Sequence, residues 1–206
     1  MHTLLVFDHP YGATARNNVP HRRSFSAALL AAALEGLSQA GHTTDVIDLG
    51  ADGFDPVVSA DDLRAWRHDS AVDPLVLDYQ RRLAAADHLV LVHPVYWMVM
   101  PAGTKGFLDR VLTRGFAFAE RRPGALLQRR LMRLRRVTIL SPLSTPLPFY
   151  RTVFGAPAIR TLATGTFRLI GIPIVRWHGF AGMAQRTPAQ RQRALDGVRR
   201  RFARLA

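Results

Sequence analysis

Residues 93–115 read HPVYWMVMPAGTKGFLDRVLTRG, and what this stretch forms decides what the rest of the chain must be. The apolar run Leu89-Val90-Leu91-Val92 leads into it. Pro94 and the large side chains Tyr96, Trp97 and Met98 follow at once. Pro101 then opens a helical segment with Phe107, Leu108, Val111 and Leu112 on its apolar side. A buried strand that ends in a loop of flat side chains and re-enters a helix is a ligand-site geometry. In open α/β sheets, ligands bind in the crevice outside the carboxyl ends of the strands.

Upstream, Thr3 to Asp8 is short, apolar and β-rich, and reads as a buried first strand. A long polar loop from His9 to Arg23 follows, and Ser24 caps a helix. Phe25, Leu29, Leu30, Ala33, Leu34 and Leu37 share one side of it, and Gly41 stops it. His42 to Leu49 is strand two, and Gly50 to Arg67 is expected as loop. Asp73-Pro74 is an N-cap with proline at the first helical position, opening a helix that carries Leu75, Tyr79 and Leu83. His88 to His93 is strand three.

Downstream, Arg122 to Arg136 is a basic stretch broken by leucines, and Val137 to Ser141 is strand four. Ser141 to Pro148 carries Pro142, Pro146 and Pro148 and is expected as an irregular loop. Val153 to Leu169 reads as a helix weakened by Gly155, Pro157 and Gly165. Ile172 to Trp177 is strand five. Thr187-Pro188-Ala189-Gln190 is a capping box with proline at N1, opening a last helix whose Leu195, Val198, Phe202 and Leu205 face inward. Strands thus alternate with helices, and connections of this length imply parallel pairing with right-handed crossovers. The expected fold is α/β: a flavodoxin-like three-layer sandwich on a five-stranded parallel sheet of order 2-1-3-4-5. It takes up residues 1–206 as a single domain. Strands one and three then meet at the switch point, which brings His9 beside Pro94.

Composition narrows the function. A hydrophobic content of 48% places the chain among globular rather than disordered proteins. No apolar run approaches the ~20 residues of a membrane helix, and MHTLLVFDHP lacks the basic start of a signal peptide. The absence of cysteine removes thiol chemistry and thiolate metal sites and fits a cytoplasmic enzyme. The net charge of +13 comes almost entirely from arginine, with Lys105 the only lysine. No helix-turn-helix, zinc-finger or aromatic-platform pattern accompanies the arginines, so no nucleic-acid partner is expected.

Two loops could carry chemistry. Ser24, Phe25 and Ser26 begin a helix, whose free N–H groups and positive dipole end suit a phosphate, and His9 lies beside them. Without GxGxxG or a Walker lysine, a nucleoside triphosphate is disfavoured. Ser24 as a simple N-cap and His9 as a plain loop residue stay open as the alternative. In the second loop, Tyr96, Trp97 and Met98 suit a planar heteroaromatic ligand, or Trp97 packs beneath the loop as core.

The pattern PVYWMVMPAGTKGFLDRVLTRGFAF resembles the signature of the NAD(P)H:quinone oxidoreductase family. Pro94, Trp97, Pro101, Ala102, Lys105, Gly106, Asp109, Arg110, Val111, Gly115 and Phe116 stand in its register. His9-Pro10, Ser24-Phe25-Ser26, Gly41-His42, Asp48-Leu49 and Phe54-Asp55-Pro56-Val57 fit as well. The resemblance covers residue 3 to about residue 120. It implies bound FMN or FAD, with His9, Ser24, Phe25 and Ser26 on the flavin phosphate. Pro94, Val95, Tyr96, Trp97 and Met98 would lie along the isoalloxazine, with Trp97 against the ring and the backbone at 96–98 on its polar edge. It implies ping-pong transfer from NAD(P)H through the flavin to a quinone or similar aromatic acceptor, and a homodimer with sites at the subunit interface. Lys105, Asp109 and Arg110 read as structural or dimer-forming rather than catalytic.

Two departures from the family pattern stand out. About ten extra residues separate His9 from Ser24, and their arginines could reach an adenylate. After strand four, where relatives carry a threonine- and glycine-rich turn for the flavin's pyrimidine edge, this chain has Ser141-Pro142-Leu143-Ser144-Thr145-Pro146. Proline offers no N–H, leaving Ser141, Ser144 and Thr145 as candidate donors. Tyr150 lies near the family's acceptor-polarising tyrosine, and Ala156 stands about where an accompanying histidine is usual. The alternative to an enzyme is an ancillary flavoprotein whose arginine clusters contact a membrane protein or anionic lipid.

Overall fold

Five apolar runs pair side by side into one parallel sheet. In the computed structural model, which describes residues 1–17, 24–122 and 124–205, these are β1 (His2–Phe7), β2 (Thr43–Asp48), β3 (His88–Val92), β4 (Arg136–Leu143) and β5 (Ile174–Ala181). Their order is β2-β1-β3-β4-β5, the flavodoxin-like order expected from the alternation of strands and helices. Phe7 faces Asp48 on one side and Val92 on the other, and Val92 in turn faces Leu140. This register brings the ends of β1, β3 and β4 level with one another.

The helices bury one stripe each against the sheet. On one face lie α1 (Phe25–Gln39) and α6 (Pro188–Ala203), packed over Leu5, Phe7, Val90, Val92 and Leu140. Leu29, Leu30 and Leu37 are enclosed there, and each contributes about 1.5–3 kcal/mol by leaving water. On the other face lie α3 (Pro74–Ala85) and α4 (Ala102–Val111), with Tyr79, Leu83, Phe107 and Val111 over Leu4, Leu89 and Leu91. The expected caps all form. Ser24 accepts from the Ala27 N–H, Asp73 from Leu75, and Thr187 and Gln190 close a capping box.

The 50–67 segment is not all loop. Ala60–Arg67 is a helix, α2, closed by a capping box between Ser59 and Asp62. It is fastened by Arg110, only 7% exposed, which reaches Asp62, Asp73 and the carbonyl of Asp55. One turn before Arg110, Gly106 lets Pro56 approach so closely that a Cβ there would lie 2.3 Å from the proline Cα. Lys105 and Asp109 pair on the exposed side of the same helix. Arg110 is therefore a structural tie.

The proline-rich segment also departs from expectation. β4 runs through Pro142 to Leu143, and a short helix, α5 (Leu147–Thr152), starts within the supposed loop. Pro142 is tolerated because β3 has ended beside it. Its carbonyl accepts from Val95 on that side, whereas Leu143 accepts from Gly182 on the other, so the missing N–H faces no strand. Beyond α5 the chain breaks at Gly155 and Ala156, both at positive φ, and resumes as a π-helix over Ile159–Arg168. β5 begins two residues later than expected and runs on through His178 to Ala181. Between α4 and β4, Phe118–Ala119 and Gln128–Arg129 form a two-stranded antiparallel ribbon.

Candidate active site

The ends of β3, β4 and β5 open into a cleft of about 730 Å³. One end is the start of α1. The Ser24 side chain is committed to the Ala27 N–H, and Ala28 donates to the Ser24 carbonyl. Among the described residues that leaves the first helical amides, Phe25 and Ser26, without a backbone partner at the helix terminus, where an anion is favoured. Ser24 and Phe25 line the cleft, while the Ser26 side chain is buried in the helix interface. Arg16 and Arg191 also line it, and among the described residues no carboxylate does.

His9, two residues past the end of β1, does not line the cleft. Its Nδ1 accepts from the Tyr11 N–H at 3.1 Å, which puts the proton on Nε2. Burial lowers its pKa, against the opposing pull of Asp8 and Asp48. Asp8 itself is occupied: it accepts from the backbone and hydroxyl of Thr104 and so caps α4, whose Pro101 has no capping side chain.

The loop after β3 forms the second wall. Tyr96 and Val99 exchange both backbone hydrogen bonds, at 2.9 and 3.0 Å, around Trp97 and Met98. Trp97 (φ 46°) and Met98 (φ 70°) both sit in the left-handed region, a two-residue turn of the type that normally takes Asn and Gly. Non-glycine residues pay roughly 1–2 kcal/mol each for this conformation, and such strain concentrates at ligand clamps. The Tyr96 amide, expected to face a ligand, is used inside the turn. The amides of Trp97 and Met98 make no backbone bond among the described residues.

The expected lining divides cleanly. Pro94, Val95 and Tyr96 line the cleft. Trp97 is neither core nor wall: it is 98% exposed at the rim. Met98 packs behind the loop with Val95, Leu147 and Tyr150. On the opposite side Ser144 lines the cleft with Pro142 and Leu143, Thr145 does not line it, and Ser141 is fully enclosed with no partner for its hydroxyl among the described residues. Next to it in register, His93 is enclosed too, its Nδ1 bonded to the Pro94 carbonyl and its Nε2 without partner.

Tyr150 is not in the cleft. It is enclosed and stacked on Trp177, and its hydroxyl donates to the Met98 carbonyl and accepts from the Ala158 N–H, both at 2.8 Å. Burial raises its pKa. In this position it braces the strained turn. The cleft also has a wall that the sequence did not announce: Gly182, Met183, Ala184 and Gln185 at the β5–α6 corner, with Gln192. The one local signal was Gly182, at φ 64°, between a strand and the Thr187 cap.

A family model described as flavodoxin-like fold matches residues 1–205. Among curated proteins, rat NAD(P)H dehydrogenase (quinone) 1 is 33% identical over 113 residues, covering 47% of this chain and 41% of the relative. Mouse ribosyldihydronicotinamide dehydrogenase (quinone) is 33% identical over 112 residues, 47% of this chain and 48% of the relative. The chain thus matches less than half the length of these relatives. Among solved structures, an NAD(P)H:quinone oxidoreductase from Methanothermobacter marburgensis superposes with a TM-score of 0.84 at 28% identity, covering 100% of this chain and 99% of that one.

Proposed function

Because the chain belongs to the family of flavodoxin-like fold proteins, we propose that it is a flavin-dependent NAD(P)H oxidoreductase that reduces quinones or similar aromatic acceptors. The observation that carries this reading is one cleft that joins the α1 terminus to the loop after β3, with no carboxylate in its lining among the described residues. Among those residues the Phe25 and Ser26 amides at the α1 terminus have no backbone partner, and neither do those of Trp97 and Met98 on the turn that follows the cleft wall. The first pair suits a phosphate and the second the polar edge of a flat ring, so the residues present fit FMN or the flavin half of FAD. When bound, the flavin would take hydride from NAD(P)H and deliver it to the acceptor.

The chain's own part is positional. His9 Nε2 and the α1 amides hold the phosphate. Pro94 to Tyr96 set the plane of one wall, and the Ser144 and Thr145 amides, free of backbone partners among the described residues, serve the opposite edge. Arg191 lends the cleft positive charge, which favours the phosphates of flavin and nicotinamide nucleotide alike, while Arg16 is paired with Glu35. Tyr150 holds the turn that carries Trp97.

Trp97 also bears on assembly. Tyr150 ties α5 to the turn, and Phe149, Val153 and Phe154 are exposed around it. An apolar rim of this kind is suited to a second subunit, and a homodimer closes the site in this proposal. The test is direct. The purified protein should be yellow, release FMN or FAD on denaturation, and oxidise NAD(P)H when menadione is added. Colourless protein that takes up neither flavin sinks the reading.

A further inference from the structure

At the opposite end of α6 from the cleft lies a second concave surface, about 630 Å³ in volume, lined by Arg136, Arg176, Arg200, Arg201 and Arg204. The chain builds it from three elements. Arg136 opens β4. Arg176, His178 and Arg136 project from the sheet face that α6 covers, since Thr138 is paired with Arg176 and Leu140 with His178. Arg200, Arg201 and Arg204 descend from the last turns of α6. Gly197 leaves its wall open, with no atom within 4 Å of where a Cβ would stand. The same helix lines the cleft from Pro188 to Leu195, and the groove takes over from Gly197 onward.

Several arginines elsewhere find carboxylates. Arg82 pairs with Asp45, Arg110 with Asp62 and Asp73, and Arg114 with Asp69. Arg199, beside Arg200 on α6, pairs with Glu35 and Asp196. Among the described residues none of the five groove arginines has such a partner. The carboxyl end of α6 offers about half an elementary negative charge, far less than five guanidiniums require. Arg201 is held in place: its Nη1 donates to His178 Nδ1 at 3.0 Å. A guanidinium cannot accept, so His178 is neutral with its proton on Nε2. Burial first, and then the charges of Arg201 and Arg176, push its pKa down to about 4.

We infer that this groove is a binding site for a ligand carrying several adjacent phosphate groups. One phosphate accepts the bidentate forks of one or two guanidiniums. Five arginines converging on one concavity match a chain of phosphates, with the Arg201 fork already oriented. The groove shares no lining residue with the cleft, so the inference goes beyond the redox reading and does not rest on it.

Tripolyphosphate and orthophosphate serve as probes in calorimetric titrations of the full chain at fixed ionic strength. Tripolyphosphate should bind one site per chain at least roughly tenfold more tightly than orthophosphate. The exposed double variant Arg200→Gln, Arg204→Gln should lose roughly tenfold or more in affinity, with flavin content and NAD(P)H oxidation unchanged. Arg176→Gln, from β5, should weaken it independently. In NMR, the His178 ring should titrate closer to 6.5 in the complex. Vesicles of phosphatidylglycerol and phosphatidylcholine separate the sources. Displacement of protein from vesicles by tripolyphosphate identifies a lipid headgroup as a source, and absence of vesicle binding identifies a soluble one. Equal affinity for the two phosphates, affinity unchanged in both variants, or vesicle binding that tripolyphosphate cannot displace overturns the inference.

Discussion

Tyr150 shows how far a residue's chemistry depends on its partners. Its identity and neighbourhood suggest an acceptor-polarising hydroxyl, but that hydroxyl bridges Met98 and Ala158 instead. Tyr150→Phe leaves the Met98 carbonyl and the Ala158 amide without a partner in a buried place, at a cost of about 1–3 kcal/mol. Urea unfolding should show that loss, together with weaker flavin retention, while the pH dependence of turnover stays as in the unmodified protein. Loss of one limb of that pH profile at unchanged stability would instead make Tyr150 a proton donor. Trp97 makes the matching point about direction. The flat side chain after strand three was legible in the sequence, and its outward orientation was not. Orientation follows from two positive φ angles and from a hydroxyl 52 positions away in the chain, neither of which leaves a local signature.

At the level of elements, legibility followed burial. β1 and β3 announce themselves as continuous buried apolar runs, and α1 and α6 because each buries a periodic stripe and carries its own cap. α2 does not: its capping box is present, but Ala65 is its only buried residue, and Leu63 and Trp66 are largely exposed. It is held from outside, by Arg110. The prolines of 142–148 mislead for a related reason. A proline forbids a strand only where its missing N–H would meet a partner, and whether β3 extends that far is a property of another segment. The π-helix over 159–168 replaces the ordinary helix that periodicity suggests. α4 supplies the test at this scale. Gly106→Ala drives a methyl into the backbone of Pro56, and neither element is free to give way. We expect destabilisation of about 1–3 kcal/mol, the range for overpacking, seen as a lower midpoint in thermal or urea unfolding. Lys105→Ala, one position away on the exposed side, should change stability by less than about 0.5 kcal/mol.

Among the described residues, burial lowers the pKa of four histidines, His9, His88, His93 and His178. His88 is enclosed, bonded to Thr138 and stacked on Phe202, and its pKa falls from 6.5 to about 3 through burial and then the charges of Arg136 and His42. Burial also lowers His93, and it pushes His178 to about 4. An unfolded chain binds these protons near 6.5, so it holds more of them than the folded chain as pH drops below that value. Stability is therefore full above pH 6.5 and declines on acidification, each such proton contributing about 1.4 kcal/mol per pH unit. For His88 the decline continues down to about pH 3. Urea unfolding at pH 7.5, 6 and 5 should show this slope, and His88→Asn should flatten it by about one proton. A slope unchanged in the variant would assign the protons elsewhere. The tryptophans, finally, divide into environments that light can distinguish. The chain has three: Trp66 lies under the Arg114 guanidinium, Trp177 is stacked on Tyr150, and Trp97 stands in water on the cleft rim. Emission at the red edge of the spectrum comes from Trp97, so the protein carries its own fluorescent gauge of whatever closes over that rim.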